Sequence, residues 1–270
     1  TGGTFEIRTD DVGSFTTRNA SGSDTGFAIL MDRAVGGTGL GTETVSVAGV
    51  PGYVGASGNI VFNEMFIGTG GNRNLTFSGR DGYGSSWNGG LDGLLTAATN
   101  GSPTVTNNSN GVVFMDGTVQ VSSDGTSRVF HINGNGETVM TGFIRQGGGA
   151  GLTIFNKGGN GTLVMTGSLV ATPLNVAAGP ASTFTGSTNV QAGTLLLSGA
   201  TATIGNTKNG ILNGVAGGAL QVGNGGTFAA FDYRGPGETT AKTFNLIGTT
   251  GAGIILANET GATGLVFNTS

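Results

Sequence analysis

The sequence predicts an all-β chain that winds as a parallel β-solenoid, and two observations support this prediction. Glycine supplies 56 of the 270 residues and charged residues supply 10%, whereas an ordinary soluble domain has about 7% glycine and about 25% charged residues. Short apolar clusters nevertheless recur along the whole chain, between turns of Gly, Asn, Ser, Thr and Asp. Frequent corners between regularly spaced apolar strands are typical of a stacked-repeat fold.

The apolar clusters distinguish this chain from a disordered glycine-rich linker. They include residues 27–31, 60–62, 112–115 and 195–197, and phenylalanine occurs 15 times. A disordered segment lacks enough apolar surface to offset the conformational entropy that folding removes. Because this chain has that surface in small, regular parcels, we expect it to fold.

Strand-like runs of four or five residues begin about ten residues apart from residue 112 onward. Glycine interrupts every window with helical spacing, and each interior glycine costs a helix about 1 kcal/mol. This spacing alone fits either an antiparallel sandwich or a solenoid.

Two details favour the solenoid. The pairs Asn133-Gly134 and Asn160-Gly161 lie within longer Gly/Asn tracts rather than in clean two-residue hairpin turns. The phrase at 161–165 returns at 193–197 and, more loosely, at 218–222. With about 20–25 residues per coil, the chain would form about 11–13 coils in a rod about 50–60 Å long.

A longer pattern runs through residues 137–198. It contains TGFI at 141–144, a glycine tract at 147–151, KGGNGTL at 157–163 and FTGSTNVQAGTLLL at 184–197. This pattern resembles the autotransporter-associated β-strand repeat, also called the passenger-associated transport repeat. An insert at 169–182 departs from the family pattern.

The resemblance implies a right-handed parallel β-helix in a large secreted or surface-anchored bacterial protein. We therefore expect residues 1–270 to form one continuous β-solenoid, a single elongated rod. Residues 1–58 would be divergent N-terminal coils, 137–198 the clearest repeat and 199–270 further coils. A location at the bacterial cell surface or in an extracellular matrix, and a structural or adhesive role, are implied by the same resemblance.

Composition excludes several classes of partner. The formal net charge is −4 and the 11 Lys and Arg residues are scattered singly, so a nucleic-acid backbone would meet no basic cluster. No run of about 18 apolar residues occurs, which argues against a transmembrane helix. The chain has no cysteine, which removes disulfides and thiolate metal sites.

The sequence contains few candidate catalytic residues. Asp10-Asp11 is the one adjacent acidic pair, and neighbouring strand residues point to opposite faces. His131 is the single histidine, and its alternation with Phe130 and Ile132 predicts an outward position. We therefore predict no enzyme activity, no catalytic residue, no cofactor and no metal site. A polysaccharide lyase or hydrolase on the same fold is the least favoured alternative.

Two groups of residues allow a binding role. Trp87 and Tyr83 could form a sugar-stacking platform, although an aromatic loop folded back onto the solenoid wall is the favoured interpretation. Asp24, Asp32 and Asp92 could each join a calcium site in a loop, although ordinary turn positions are favoured for them as well.

Both ends of the sequence look like strands, near residues 4–8 and 264–268, and neither shows a helical cap. Uncapped terminal coils expose unpaired backbone groups above an apolar interior. Either the parent chain continues beyond these ends, or another copy stacks on them. We predict the second, a head-to-tail association of copies in which residues 243–268 of one copy meet residues 4–31 of the next. The alternative is an adhesin-like monomer that binds a surface or a glycan. The predicted self-association residues are Phe5, Ile7, Phe27, Ile29, Phe244, Leu246, Leu265 and Phe267.

Overall fold

Strands account for every regular element in the described part of the chain, as seen in a computed structural model. The description covers residues 4–9, 15–16, 28–31, 41–49, 51, 59–62, 64–67, 73–87, 91–92, 102, 104–115, 119–122, 128–141, 144–146, 153–167, 186–199, 202–205, 212, 218–223, 226–248, 252–257 and 264–267.

Four sheets contain the strands. The first sheet consists of β1 (Thr4–Thr9), β4 (Gly41–Gly49), β7 (Arg73–Gly79), β10 (Thr104–Asn107), β13 (Arg128–Gly134), β16 (Thr153–Lys157), β18 (Thr188–Val190), β20 (Leu220–Val222) and β23 (Phe244–Leu246). The second consists of β2 (Phe15–Thr16), β5 (Asn59–Phe62), β8 (Gly84–Trp87), β11 (Val113–Met115), β14 (Thr138–Met140), β17 (Thr162–Met165), β19 (Gly193–Ser198), β21 (Ala229–Arg234) and β24 (Gly253–Ala257). The third consists of β3 (Ala28–Met31), β6 (Glu64–Ile67), β9 (Leu91–Asp92), β12 (Val119–Ser122) and β15 (Ile144–Gln146), and the fourth of β22 (Glu238–Thr240) and β25 (Leu265–Phe267).

The chain visits these sheets in rotation. From β1 to β15 each circuit adds one strand to the first, second and third sheets in that order, and we call one such circuit a rung. All strand pairings in the described part are parallel. The expectation of an all-β chain with parallel sheets is confirmed, and the arrangement is consistent with a β-solenoid rather than an antiparallel sandwich.

The rungs differ more in length than the sequence pattern indicates. Thr4 pairs with Thr44, forty residues later, whereas Leu220 pairs with Phe244, 24 residues later. The expected 20–25 residues per coil is therefore too short, and each of the two longest sheets holds nine strands where 11–13 coils were expected. The reason is that ladder bonds hold only the strands, so the segments between them are free to vary in length.

One of the repeated phrases stacks and another does not. The phrases at 161–165 and 193–197 occupy equivalent places, because β17 pairs with β19 in register. The looser echo at 218–222 does not extend this stack, since β20 lies in the first sheet, where Leu220 pairs with Thr188. The next strand above β19 is β21, which has a different sequence.

The core is built of side-chain rows that run from rung to rung. In the second sheet alternate residues of successive strands stack in register and are fully buried. One such row consists of Trp87, Met115, Met140, Met165, Leu197 and Tyr233, each 0% exposed. The residues between them face the other side, as Val139 does beside Met140. This alternation is what a strand with one buried face requires.

The corners explain part of the glycine content. Gly134 has φ 106°, and a Cβ there would stand 2.0 Å from the carbonyl oxygen of Asn107 on the previous rung. Asn107 is buried and donates from Nδ2 to the Glu137 carbonyl at 2.7 Å. Glycine is needed where backbones approach this closely, and asparagine satisfies the backbone groups that a corner frees.

Replacing a residue of the buried row should destabilise the protein far more than replacing its outward neighbour. Met140→Ala leaves a cavity between Met115 and Met165 and should lower the free energy of unfolding by about 2–5 kcal/mol. Val139→Thr, on the other face of β14, should change it by about 0.5 kcal/mol or less. Urea denaturation of both variants measures the two effects, and equal losses would contradict the stacked-row core.

Candidate self-association surface

The predicted self-association residues lie on strands that end their sheets. β1 and β23 are the two terminal strands of the first sheet, β3 is a terminal strand of the third, and β25 belongs to the two-stranded fourth sheet. Ile29 lies on β3, where its backbone pairs with Met65, while Phe27 lies outside the described residues. The structure therefore separates the candidates into a first rung (β1–β3) and a last circuit, β23–β25, which we call the last rung although its third strand lies in the fourth sheet.

On the first rung, apolar side chains continue the core rows but are covered on one side only. Phe5 pairs with Val45 and Ile7 pairs with Val47. Val45 and Val47 are 1% and 2% exposed, whereas Phe5 is 47% exposed. Ile7 is partly buried and packs against the core. Solvent exposure therefore increases from the second rung to the first, as expected at an open sheet edge.

The last rung shows the same change at the other end. Leu246 pairs with Val222, and Phe244 with Leu220. Val222 and Leu220 are 0% and 1% exposed, but Leu246 is 58% exposed. This inward row therefore ends without an apolar neighbour above it in the described part of the chain.

Aromatic contacts position Phe244 within this rung. Its ring centroid lies 6.2 Å from that of Phe231 on the rung below and 5.5 Å from that of Phe267. Both distances fall in the range of favourable aromatic pairs. Phe244, Leu265 and Phe267 are partly buried against the core, so the last rung is packed from below.

Sequence reasoning missed several exposed apolar residues of the last rung and its neighbourhood. β24 reads GIILA and forms the edge of the second sheet. The run of four apolar residues at 254–257 was the available signal, because successive strand residues point to opposite faces and some of the four must then lie on the outer face. The exposed large residues beyond those predicted are Phe228, Ile247, Ile254, Ile255, Leu256 and Val266, from 37% to 51% exposed.

The two terminal rungs differ in charge. On the first rung Glu6 contacts Arg8 at 3.0 Å and Arg80, of the third rung, at 2.5 Å. The described strands of the last rung read FNL, GIILA and LVF and contain no charged residue. The first rung therefore has a charged outer rim, and the last rung has an apolar one. Because the Arg–Glu contacts are largely exposed, they add little stability.

The other candidate residues occupy structural positions where the structure describes them. His131 is partly exposed between Phe130 and Ile132, each 1% exposed, so its predicted outward position is confirmed. Trp87 and Tyr83 are 0% and 1% exposed and cannot form an exposed platform. The Trp87 indole donates to Ser85 Oγ at 3.1 Å, in agreement with the favoured wall-packing interpretation.

Acidic candidates give no assembled site in the described residues. Asp10, Asp11, Asp24 and Asp32 lie outside the described part, and Asp92 pairs through its backbone with Gln120 in the third sheet. Within the described ranges, no three His, Cys, Asp or Glu side chains come close enough to hold a metal ion. No helix in that part of the chain is long and apolar enough to cross a membrane.

Two lysines are buried in the interior, and their ammonium groups donate to backbone carbonyls. Lys157 is 2% exposed and donates from Nζ to the carbonyls of Gly158 at 2.7 Å, Gly159 at 3.0 Å and Ala192 at 3.2 Å. Lys242, also 2% exposed, donates to the carbonyl of Leu212 at 3.0 Å. Burial lowers the pKa of each lysine to about 8. Their contacts indicate a structural role at the turns.

Comparison with known proteins assigns no family to the chain. No family model matches it, and no curated protein or solved structure matches it either. The resemblance of residues 137–198 to the autotransporter-associated repeat therefore stays a prediction from the sequence.

The interior lysines should make stability increase with pH. Because the pKa is about 8 in the folded state and 10.5 ordinarily, the unfolded state binds more protons between these values. Unfolding free energy should therefore rise between pH 8 and 9.5, by up to about 2 kcal/mol per lysine. Lys157→Met should remove roughly half of this rise, measured as urea midpoints at both pH values. Arg8→Met, which removes an exposed cation, is the control and should leave the rise intact. An unchanged slope in Lys157→Met would contradict this account.

Proposed function

We propose that this chain is a structural protein of the bacterial cell surface or extracellular space, whose copies associate end to end into a fibre or a surface layer. Its fold would be a right-handed parallel β-helix. The observation that carries the proposal is the exposure of core-row residues on both terminal rungs, most clearly Phe5 and Leu246. Stacking a second copy would continue the interrupted rows.

Backbone geometry makes the two edges complementary. β1 and β23 end the same parallel sheet on opposite sides, so each offers the hydrogen-bonding side that the other lacks. A copy displaced along the stacking direction can place its β1 beside β23 of another copy in the same parallel sense. Such a contact joins two different surfaces and does not close on itself, and it therefore generates a fibre.

Side-chain alternation limits the register of this contact. Phe244 beside Phe5 and Leu246 beside Ile7 would keep apolar residues in the inward rows and place Asn245 beside Glu6. A slip of one residue would set the inward Phe244 beside the outward Glu6, so that the two strands would be out of phase. Alternation thus excludes slips by an odd number of residues, and the cysteine pairs below distinguish the proposed register from one displaced by two residues.

The free energies of burial and of association indicate that the copies would associate reversibly and in a concentration-dependent way. Full burial of a large apolar side chain is worth about 1.5–3 kcal/mol, so completing a half-made burial is worth roughly 1 kcal/mol. Seven inward residues would together contribute roughly 7 kcal/mol, which lies near the lower end of the estimated association cost of about 4–15 kcal/mol. Backbone pairing along the first and second sheets, which have edge strands on both terminal rungs, must supply the rest. The seven residues are Phe5, Ile7, Phe244, Leu246, Ile255, Leu265 and Phe267.

The stacking of the repeated phrases supports the repeat-protein part of the proposal. The phrases at 161–165 and 193–197 lie on adjacent strands in register, as expected if the pattern at 137–198 is a repeat of the autotransporter-associated kind. The extracellular location rests on that resemblance, with the absence of cysteine in agreement.

Charged substitutions on the last rung should abolish assembly of the 270-residue chain. Leu246→Lys together with Ile255→Lys places two cations in interrupted core rows, where stacking would bury them unpaired. Static light scattering should show the mass of the native chain rising with concentration, and negative-stain images should show fibres. The double variant should stay at the mass of one chain.

The matched control is Phe228→Lys, which makes the same kind of change at a residue that is 50% exposed but precedes β21, one rung below the edge. This variant should assemble as the native chain does. A native chain that is monomeric at every concentration contradicts the proposal, and binding of that monomer to glycan beads would favour the adhesin alternative. Release of unsaturated products from acidic polysaccharides would favour the lyase.

A disulfide should test the register independently. The chain has no cysteine, so a pair introduced as Glu6→Cys and Asn245→Cys would form intermolecular bonds only where β1 of one copy lies beside β23 of another. Paired strands lie about 4.8 Å apart, within the Cα separation that a disulfide accepts. Mild oxidation should give a ladder of linked chains on a non-reducing gel.

The control for this test is the pair Arg8→Cys and Asn245→Cys, displaced by two residues or about 6.7 Å along the strand. It should link poorly, because the Cα atoms would lie beyond about 7 Å. Fibres that link through Arg8→Cys and not through Glu6→Cys would keep the assembly and overturn the register.

A further inference from the structure

Three polar side chains on neighbouring strands of the first sheet are linked by hydrogen bonds on its outer face. His131, Asn156 and Asn189 occupy the same register position on β13, β16 and β18. Asn189 Nδ2 donates to Asn156 Oδ1 at 2.8 Å, and Asn156 Nδ2 lies 3.4 Å from His131 Nδ1. The row is therefore a hydrogen-bonded side-chain ladder that ends at the imidazole.

The ladder has a direction. Because Asn156 Oδ1 accepts from Asn189, the group that Asn156 turns toward His131 is its amide NH₂, which can only donate. His131 Nδ1 must then present its lone pair, and the ring proton must be on Nε2. This is one of the two neutral tautomers of histidine, and the other tautomer would set two donors against each other.

Because the ladder is largely buried, the protonation state of His131 affects the stability of its hydrogen bonds. Asn156 and Asn189 are 6% and 9% exposed although they lie on the outer face, so water has little access to the bonds between them. A buried donor that loses its partner costs more than an exposed one. A second proton on the imidazole would turn Nδ1 into a donor facing the Asn156 NH₂ and break the bond.

We propose that His131 is a pH-sensitive terminus of this ladder, which accepts a hydrogen bond from Asn156 when the ring is neutral and separates from Asn156 when the ring is protonated. Acidification would thereby loosen the outer face of the first sheet between β13 and β16, while the inward rows stay in place. The proposal is independent of end-to-end association.

The surroundings of His131 offer nothing described that would stabilise an imidazolium. Its register neighbour on β10 is Thr104, and on β16 it is Asn156. Lys157 points into the interior with its ammonium on backbone carbonyls, and Arg128 is the other ionisable residue of β13, its side chain lying outside the described part. No carboxylate is placed beside the ring by the described strands on either side.

The pKa of His131 determines how the stability of the protein changes with pH. Burial lowers the pKa of His131 below its ordinary value of 6.5, so the unfolded state binds more protons as pH falls through this range. The contribution of the neutral ring to stability is therefore complete above pH 6.5 and is lost as pH falls through the lowered pKa of the folded state.

Nitrogen-15 NMR of the imidazole tests the proposal in the full chain, because His131 is the single histidine. At pH 8 the spectrum should show a protonated Nε2 and an unprotonated Nδ1, and the ring should titrate below pH 6.5. In Asn156→Asp a carboxylate replaces the donor, so the pKa of His131 should rise. A protonated Nδ1 in the neutral ring, a native pKa of 6.5 or more, or no rise in Asn156→Asp would overturn the proposal.

A stability measurement separates the ladder from a general acid effect. His131→Asn keeps an amide in the row but removes the titration. Between pH 7 and pH 5 the native chain should lose about 2–4 °C more in Tm than this variant, which corresponds to one buried hydrogen bond. Equal losses overturn the proposal, and if His131→Asn does not fold, the NMR titration of the native chain decides.

Discussion

The rest of the structure depends on the parallel, in-register pairing of each rung with the next. In a parallel ladder a residue lies above its equivalent at about 4.8 Å, so side chains of one face stack on side chains of the same face. Met115, Met140 and Met165 form such a row in the second sheet. A slip of one residue would move the whole row to the outer face, so register and core determine one another.

The register also places polar side chains in the core, next to apolar neighbours. Lys157 pairs with the apolar residues Ile132 below and Val190 above, and three carbonyls accept its ammonium hydrogens. Thr188, two residues before Val190, is 0% exposed, and its Oγ1 has no hydrogen-bond partner in the described structure. The unsatisfied hydroxyl costs about 1–3 kcal/mol. The rows tolerate both residues because the ladder on either side holds the backbone.

Sequence reasoning succeeded where a local rule decides the structure. Alternation placed His131 outward, and the glycine and asparagine content predicted corners such as Gly134. It failed where the outcome depends on which strands meet. Residues 218–222 repeat the apolar spacing of 193–197 but pair within the first sheet, because apolar spacing identifies a strand and not its sheet. Rung length was underestimated for the same reason, since turns of very different length can return the chain to the same sheet.

The candidate surface was predictable in part. Strand-like sequence near residues 4–8 and 264–268 predicted strands there, and seven of the eight predicted residues lie on edge strands. The exposed run of β24 and the ladder at His131 were not predicted, because each depends on what lies above or below a residue. Asn156 and Asn189 are 25 and 58 positions from His131 in sequence, and only the pairing of β13, β16 and β18 makes them neighbours.

The proposed stacking of copies would depend on the same parallel pairing. Two identical edges would have to meet with their strands antiparallel, and all pairings in the described part are parallel. The edges also differ chemically, since Glu6 and Arg8 rim the first rung and the described strands of the last rung contain no charge. Two last rungs would bring apolar rims together, but their ladder would be antiparallel and would interrupt the parallel stacking of the sheets. The proposed head-to-tail contact, a first rung on a last rung, would keep the ladder parallel and would cover the inward rows of both edges at once.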